Sequence, residues 1–229
     1  MADNLQVTND PGYALSNDIH HSQVIRFFAW LVSYVFHPLF ITIYATYYLV
    51  FVHPIYFAGI NNYDKVWILL RILVNMVFFP LISVLLLKGV GFIDSIFLKT
   101  QKERIIPYII SNIFFFWMYL VFRNQPEISS ILTSFVFSVF ISTSLALIAN
   151  IYFKISIHAI AVGGLLGLML VILVTKSSSP ITLPFVAALL IAGVVCTARM
   201  IVGKHTQKDI YIGLFCGVIS QITGAWFIL

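Results

Sequence analysis

Eight side chains able to do chemistry fall into three short polar stretches of an otherwise apolar chain. They are Lys99, Lys102 and Arg104 in "KTQKERIIP" (99–107), Ser156 and His158 in "KISIH" (154–158), and Arg199, His205 and Asp209 in "ARMIVGKHTQKD" (198–209). Guanidinium and ammonium groups match the charge and oxygen geometry of a phosphoryl group, and an arginine can bond two of its oxygens at once. Two imidazoles titrating near neutral pH can divide the roles of nucleophile and general acid. A carboxylate four residues after His205 would fix that ring's tautomer if the segment is helical, because i, i+4 spacing puts both on one face. Together these residues form a set suited to phosphate chemistry.

The elements that must position them are membrane spans. The chain has 229 residues, 61% of them hydrophobic and 9% charged, with a mean hydropathy of +1.01, far outside the range of soluble globular domains. Stretches of about 20 apolar residues, the length a helix needs to cross a bilayer core, recur along nearly the whole sequence. They fall at about 24–51, 66–87, 105–122, 129–150, 158–174, 181–202 and 210–228. The expected fold is all-α, a polytopic transmembrane bundle of about six or seven helices. The first span should kink at His37-Pro38, where proline removes a helix hydrogen bond. Residues 1–23 are polar, contain Pro11 and Gly12, and lack a basic n-region with a short apolar core, so a short tail outside the membrane is expected ahead of a single transmembrane domain, 24–229.

Alternate crossings put the tail and the three polar loops on one side of the membrane, so the site is expected at the interface end of the bundle. That side carries Arg26, Lys88, Lys99, Lys102, Arg104, Lys154, Lys204 and Lys208, and the other carries Lys65, Arg123 and Lys176. Taken at face value, the positive-inside rule makes the first side cytoplasmic, although cations that belong to a binding site do not report topology. No basic stripe suggests nucleic acid. Cys196 and Cys216 lie in apolar runs without a CxxC motif, and neither a disulfide framework nor a zinc site is indicated.

Other polar residues have plainer expectations. Lys88, Lys154, Lys204 and Lys208 are expected to set topology. His20-His21 belongs to the solvated tail, and Arg71 either snorkels or meets a buried partner. His37 is expected to be a kink or interface feature, while Asn150, Gln221 and Thr223 are expected to hydrogen-bond between helices.

The three stretches resemble the signatures of the type 2 phosphatidic acid phosphatase superfamily, which read Lys-x6-Arg-Pro, Pro-Ser-Gly-His and Ser-Arg-x5-His-x3-Asp. The third matches as Arg199, His205 and Asp209 at the family's spacing, with Ala198 in place of the leading serine. The second keeps Ser156 and His158, with Ile155 and Ile157 at the proline and glycine positions. In the first, Arg104 precedes proline only at Pro107, and Phe97 stands seven before it, so the family lysine would be Lys99 or Lys102. The clusters come in the family's order, two spans separate each from the next, and the resemblance covers roughly residues 60–229.

The resemblance implies an integral-membrane phosphatase acting on a lipid phosphate or diphosphate. His205 would attack phosphorus to form a phosphohistidine, with Asp209 orienting it, and His158 would protonate the leaving alkoxide. Lys99 or Lys102, Arg104, Ser156 and Arg199 would hold the phosphoryl oxygens, with neither metal nor cofactor needed. The partner would be a membrane lipid reaching the site laterally, phosphatidic acid, phosphatidylglycerol phosphate, an isoprenyl diphosphate or a phosphorylated lipid A being the classes the resemblance suggests. It also implies a prokaryotic inner membrane with the site facing away from the cytoplasm, against the raw charge count. The alternative is a non-catalytic membrane protein that binds or transports an anionic lipid with the same cations.

Overall fold

The computed structural model describes residues 22–98, 100–175, 181–203 and 205–229, and among them every regular element is helical. Helix α1 (Gln23–Val35) and helix α2 (Pro38–Tyr47) flank the His37-Pro38 step, and α2 runs on through a π-helical turn, Tyr48–Val52. Helix α3 (Asn62–Ile72), a π-helical stretch (Leu73–Phe78) and helix α4 (Phe79–Gly89) follow as one continuous rod. The remaining helices are α5 (Gln101–Arg123), α6 (Ser130–Tyr152), α7 (Ile157–Val174), α8 (Thr182–Ile201) and α9 (Gln207–Ile228). Six rods are long and apolar enough to cross a membrane, and the bent pair of α1 and α2 makes a seventh if counted as one span. The protein is a multi-pass helical bundle of the membrane.

The ends of these helices are written in local chemistry. Thr100 and Glu103 form a capping box at the start of α5, and Thr206 and Asp209 form another at the start of α9. Ser156 caps α7 and Asn61 caps α3, each side chain accepting from a backbone N–H of the first turn. Pro38 opens α2 at a position where a missing N–H does no harm, and His37 caps the same helix through Nδ1, which accepts from Leu39 N at 3.4 Å.

The break at His37-Pro38 is sharper than a kink: α1 and the α2 rod diverge by 55°. Helix α1 has 13 residues, a length of roughly 20 Å, short of the roughly 30 Å of a bilayer core. Val24, Phe27, Phe28 and Leu31 are exposed on one face, while Ala29 packs on Ala198 and Val202 at the end of α8. That pattern suits a helix lying at the bundle's edge with its apolar face toward lipid.

Helices α7 and α9 pack closest. A β-carbon added at Gly217 would overlap the Ile160 carbonyl oxygen, and one at Gly163 would overlap that of Leu214. Small residues at these points let the two backbones approach, the usual device for helix association in lipid. Helices α5, α7 and α9 begin, and α4, α6 and α8 finish, at one end of the bundle, which brings the three polar stretches together there. Gly217→Ala should therefore lower the apparent melting temperature in detergent by several degrees, an overpacking penalty of about 1–3 kcal/mol. Gly193, whose added β-carbon meets nothing within 4 Å, serves as the control, and its alanine variant should melt no earlier than the parent. Equal melting of the two variants would contradict the close packing of α7 on α9.

Candidate functional site

At the end where the polar stretches meet, a cavity of about 400 Å3 runs between the helices. Arg104, Lys154 and Arg199 line it together with His37, His158 and His205. Among the described residues, none that lines it is acidic. The N-termini of α5, α7 and α9 and the C-termini of α4, α6 and α8 lie at the same end, so the helix dipoles largely offset one another and the positive potential comes from the side chains. The arrangement attracts an anion.

Each cation is held by its own element. Arg104 sits in the first turn of α5, 8% exposed, and its Nε donates to the Leu98 carbonyl at 2.9 Å. Leu98 adopts a φ of 47°, a left-handed conformation that costs a side-chain-bearing residue roughly 1–2 kcal/mol. Arg199, in the last turn of α8, is 6% exposed, and its Nε has no hydrogen-bond partner among the described residues. A buried donor left unmade costs about 1–3 kcal/mol, and more when charged, so an acceptor belongs at this point.

The hydrogen bonds of the imidazoles fix their tautomers. His158 Nε2 lies 3.1 Å from the Ser33 carbonyl oxygen. A carbonyl only accepts, so Nε2 carries the proton and Nδ1 keeps a lone pair in the neutral ring. His205 is the reverse: Nδ1 donates to the Lys154 carbonyl at 3.1 Å, which leaves Nε2 bare. Burial pushes His205 down to about 4, with the Arg199 and Lys154 charges acting in the same direction against the Lys154 carbonyl and Asp209. At neutral pH it is an uncharged imidazole with an available Nε2 lone pair, the form a nucleophile needs. The ring of His37 stands edge-on to that of His158, 5.4 Å between centroids.

Of the residues singled out from sequence, Arg104, His158, Arg199 and His205 share the cavity. Asp209 does not hold the His205 ring. His205 precedes α9 instead of lying on it, so the i, i+4 face never forms, and Asp209 Oδ2 accepts from Thr206 N at 2.9 Å as part of the α9 cap. Ser156 is fully buried, its Oγ accepts from Ala159 N at 3.4 Å, and it is not among the lining residues. Lys102 is exposed on the first turn of α5 away from the cavity, and Lys99 lies outside the described residues. Arg71 finds a partly buried partner at the opposite end of the bundle, Nη1 donating to Gln125 Oε1 at 2.6 Å.

Three residues reach the cavity that the motif-based reading passed over. By sequence Lys154 suits a topology signal, His37 a kink and Gln221 a bond between helices, yet all three line the cavity and both amide atoms of Gln221 lack partners among the described residues. An ionisable ring in the middle of an apolar run was itself a signal for His37. Ile157, at the family's glycine position, also lines the cavity. Among the described residues no three His, Cys, Asp or Glu side chains are placed to share a metal ion.

Comparison of the chain with protein-family models, with curated proteins and with solved structures gives no match.

The half-buried, neutral His205 has a measurable consequence. Its ordinary value is 6.5 and its folded value about 4, so as pH falls below 6.5 the unfolded chain takes up a proton that the folded protein refuses. Its contribution to stability is intact above about 6.5 and is lost progressively towards about 4. Melting curves of the parent should fall more steeply than those of His205→Gln across that window. Parallel curves would contradict a half-buried, neutral ring.

Proposed function

We propose that this protein is a lipid phosphate or diphosphate phosphatase of the membrane that works through a phosphohistidine on His205, without a metal. The observation that carries the reading is that, among the described residues, three cations and no carboxylate line one cavity with the bare Nε2 of His205. The resemblance of Arg199, His205 and Asp209, and of Ser156 and His158, to the type 2 phosphatidic acid phosphatase signatures supports the same reading.

The chemistry follows from the tautomers. Nε2 of His205 attacks phosphorus, a P–N bond forms, and the P–O bond to the lipid breaks. The leaving alkoxide takes a proton from Nδ1 of His158, the nitrogen not bonded to Ser33, which carries that proton once the phosphate has brought its negative charge beside the ring. In the second step the same Nδ1, now bare, removes a proton from water while the water oxygen attacks phosphorus. The P–N bond breaks, inorganic phosphate leaves, and His205 returns to its starting form. Arg104, Arg199 and Lys154 neutralise the equatorial oxygens in both steps. The substrate's chain stays among apolar walls such as Phe115, Phe135 and Val139.

The resemblance gives the site a non-cytoplasmic orientation in a prokaryotic inner membrane. Arg104 and Lys154, two of the cations that argue the other way, line the cavity and do not report topology.

A second reading, a non-catalytic protein that binds or moves an anionic lipid, is favoured by the placement of Asp209 at the α9 cap and of Ile157 on the cavity wall. Release of inorganic phosphate from a panel of lipid phosphates and diphosphates, in the presence of chelator, separates the two. The enzyme reading expects turnover that falls on the order of a thousandfold or more in His205→Ala and in His158→Ala, with lipid binding retained. Binding that needs Arg104 and Arg199, without turnover in the parent, would leave the carrier reading standing.

A further inference from the structure

Gln221 is fully buried in α9, and neither its Nε2 nor its Oε1 has a hydrogen-bond partner among the described residues, yet the residue lines the cavity. We propose that it forms a second polar subsite, deep in the bundle, which binds a hydrogen-bonding group, an amide or a hydroxyl, carried partway along the chain of a phosphate-bearing amphiphile. The proposal rests on the reading of the shallow end as a phosphate site.

Depth comes from the packing of α7 on α9. A β-carbon placed at Gly167 would stand 2.8 Å from Gln221 Cβ, so the two residues lie at one level of the bundle. Gly167 is nine residues beyond His158 on α7, roughly 13 Å of helix rise from the phosphate end. The wall that α6 supplies beside α9 is polar at about this depth. Ser138, Ser142 and Thr143 of α6 line the cavity and donate to carbonyls of their own helix, which leaves lone pairs on their oxygens free to accept. Between the two ends Tyr108 also lines the cavity, and its hydroxyl has no hydrogen-bond partner among the described residues.

Away from these groups Phe115, Phe135 and Ile41 line the same space. A plain hydrocarbon chain would fill it and leave the Gln221 amide without partners, whereas a chain with one amide or hydroxyl at the right place would satisfy both its donor and its acceptor. An extended chain advances about 1.2 Å per bond, so the matching group stands about eleven bonds from phosphorus.

The test uses alkylphosphonates, which cannot be hydrolysed, of one length, bearing a single secondary amide about four, eleven or sixteen bonds from phosphorus, and an amide-free parent. Their affinities are measured on the full-length protein in a detergent without amides, for the wild type, Gln221→Leu and Gln221→Met. The expected result is about tenfold tighter binding of the eleven-bond probe than of the other three, with that advantage lost in whichever variant folds and the amide-free probe bound as well or better. Even if neither variant folds, the position series on the wild type decides. Equal affinities across the wild-type series, as a bridging water on Gln221 would give, overturn the subsite and leave the phosphate reading intact. An advantage that survives in the variants also overturns it. No binding of any phosphonate would remove the phosphate site and the subsite together.

Discussion

The close approach of α7 and α9 is the constraint on which the site depends. Where Gly163 and Gly217 remove side chains from the contact, two backbones come near enough that the loop before each helix is fixed by the other. Ser156 N donates to the Asp209 carbonyl at 3.3 Å, tying the start of α7 to that of α9. The same juxtaposition delivers the Lys154 carbonyl to Nδ1 of His205. A carbonyl can set a tautomer as firmly as a carboxylate, but it brings no negative charge to stabilise an imidazolium. The low value of His205 is thus a consequence of packing: the ring is oriented by a neutral partner in a buried, cation-rich place.

That place holds charge at a cost. Removing a guanidinium from water is unfavourable unless hydrogen bonds and opposite charge replace its hydration, and the lining residues contain no carboxylate to do so. Leu98 bends into a left-handed conformation, and its carbonyl bonds one nitrogen of Arg104. Nothing in the described protein does the same for Nε of Arg199. Position at a helix end softens the penalty, because a cation in the last turn of α8, as Arg199 is, complements that helix's dipole. An anion in the cavity would supply the missing partner, which is where the burial of the two arginines bears on the proposed function.

The architecture was legible because apolar runs of span length and polar loops are additive, local signals. The order of the three polar stretches also predicted which loops would meet, since alternate crossings return every second loop to one side. Individual roles were less legible where a residue serves two kinds of contact. Asp209 and Ser156 match a functional signature by spacing, but Thr206 and Ala159 offer each of them a helix-cap partner three residues away, and the local bond wins. Lys154 looked like any basic residue beside a span, and its backbone carbonyl, invisible in a side-chain pattern, is the group that holds His205. His37 and Gln221 reach the cavity through a 55° turn and a glycine-lined helix contact, neither of which periodicity encodes.

The first helix shows how far tertiary placement can change a segment's meaning. As part of a kinked span, α1 would be one more lipid-facing wall. As a separate short helix it supplies Trp30, Ser33 and Tyr34 to the cavity, and the Ser33 carbonyl fixes the tautomer of His158. Its exposed Phe27, Phe28 and Leu31 are held only by what surrounds the bundle, while its inner face meets α8 through small residues, Ala29 on Ala198. Because His158 donates its hydrogen bond to a carbonyl of that helix, the geometry of the site is coupled to the placement of α1.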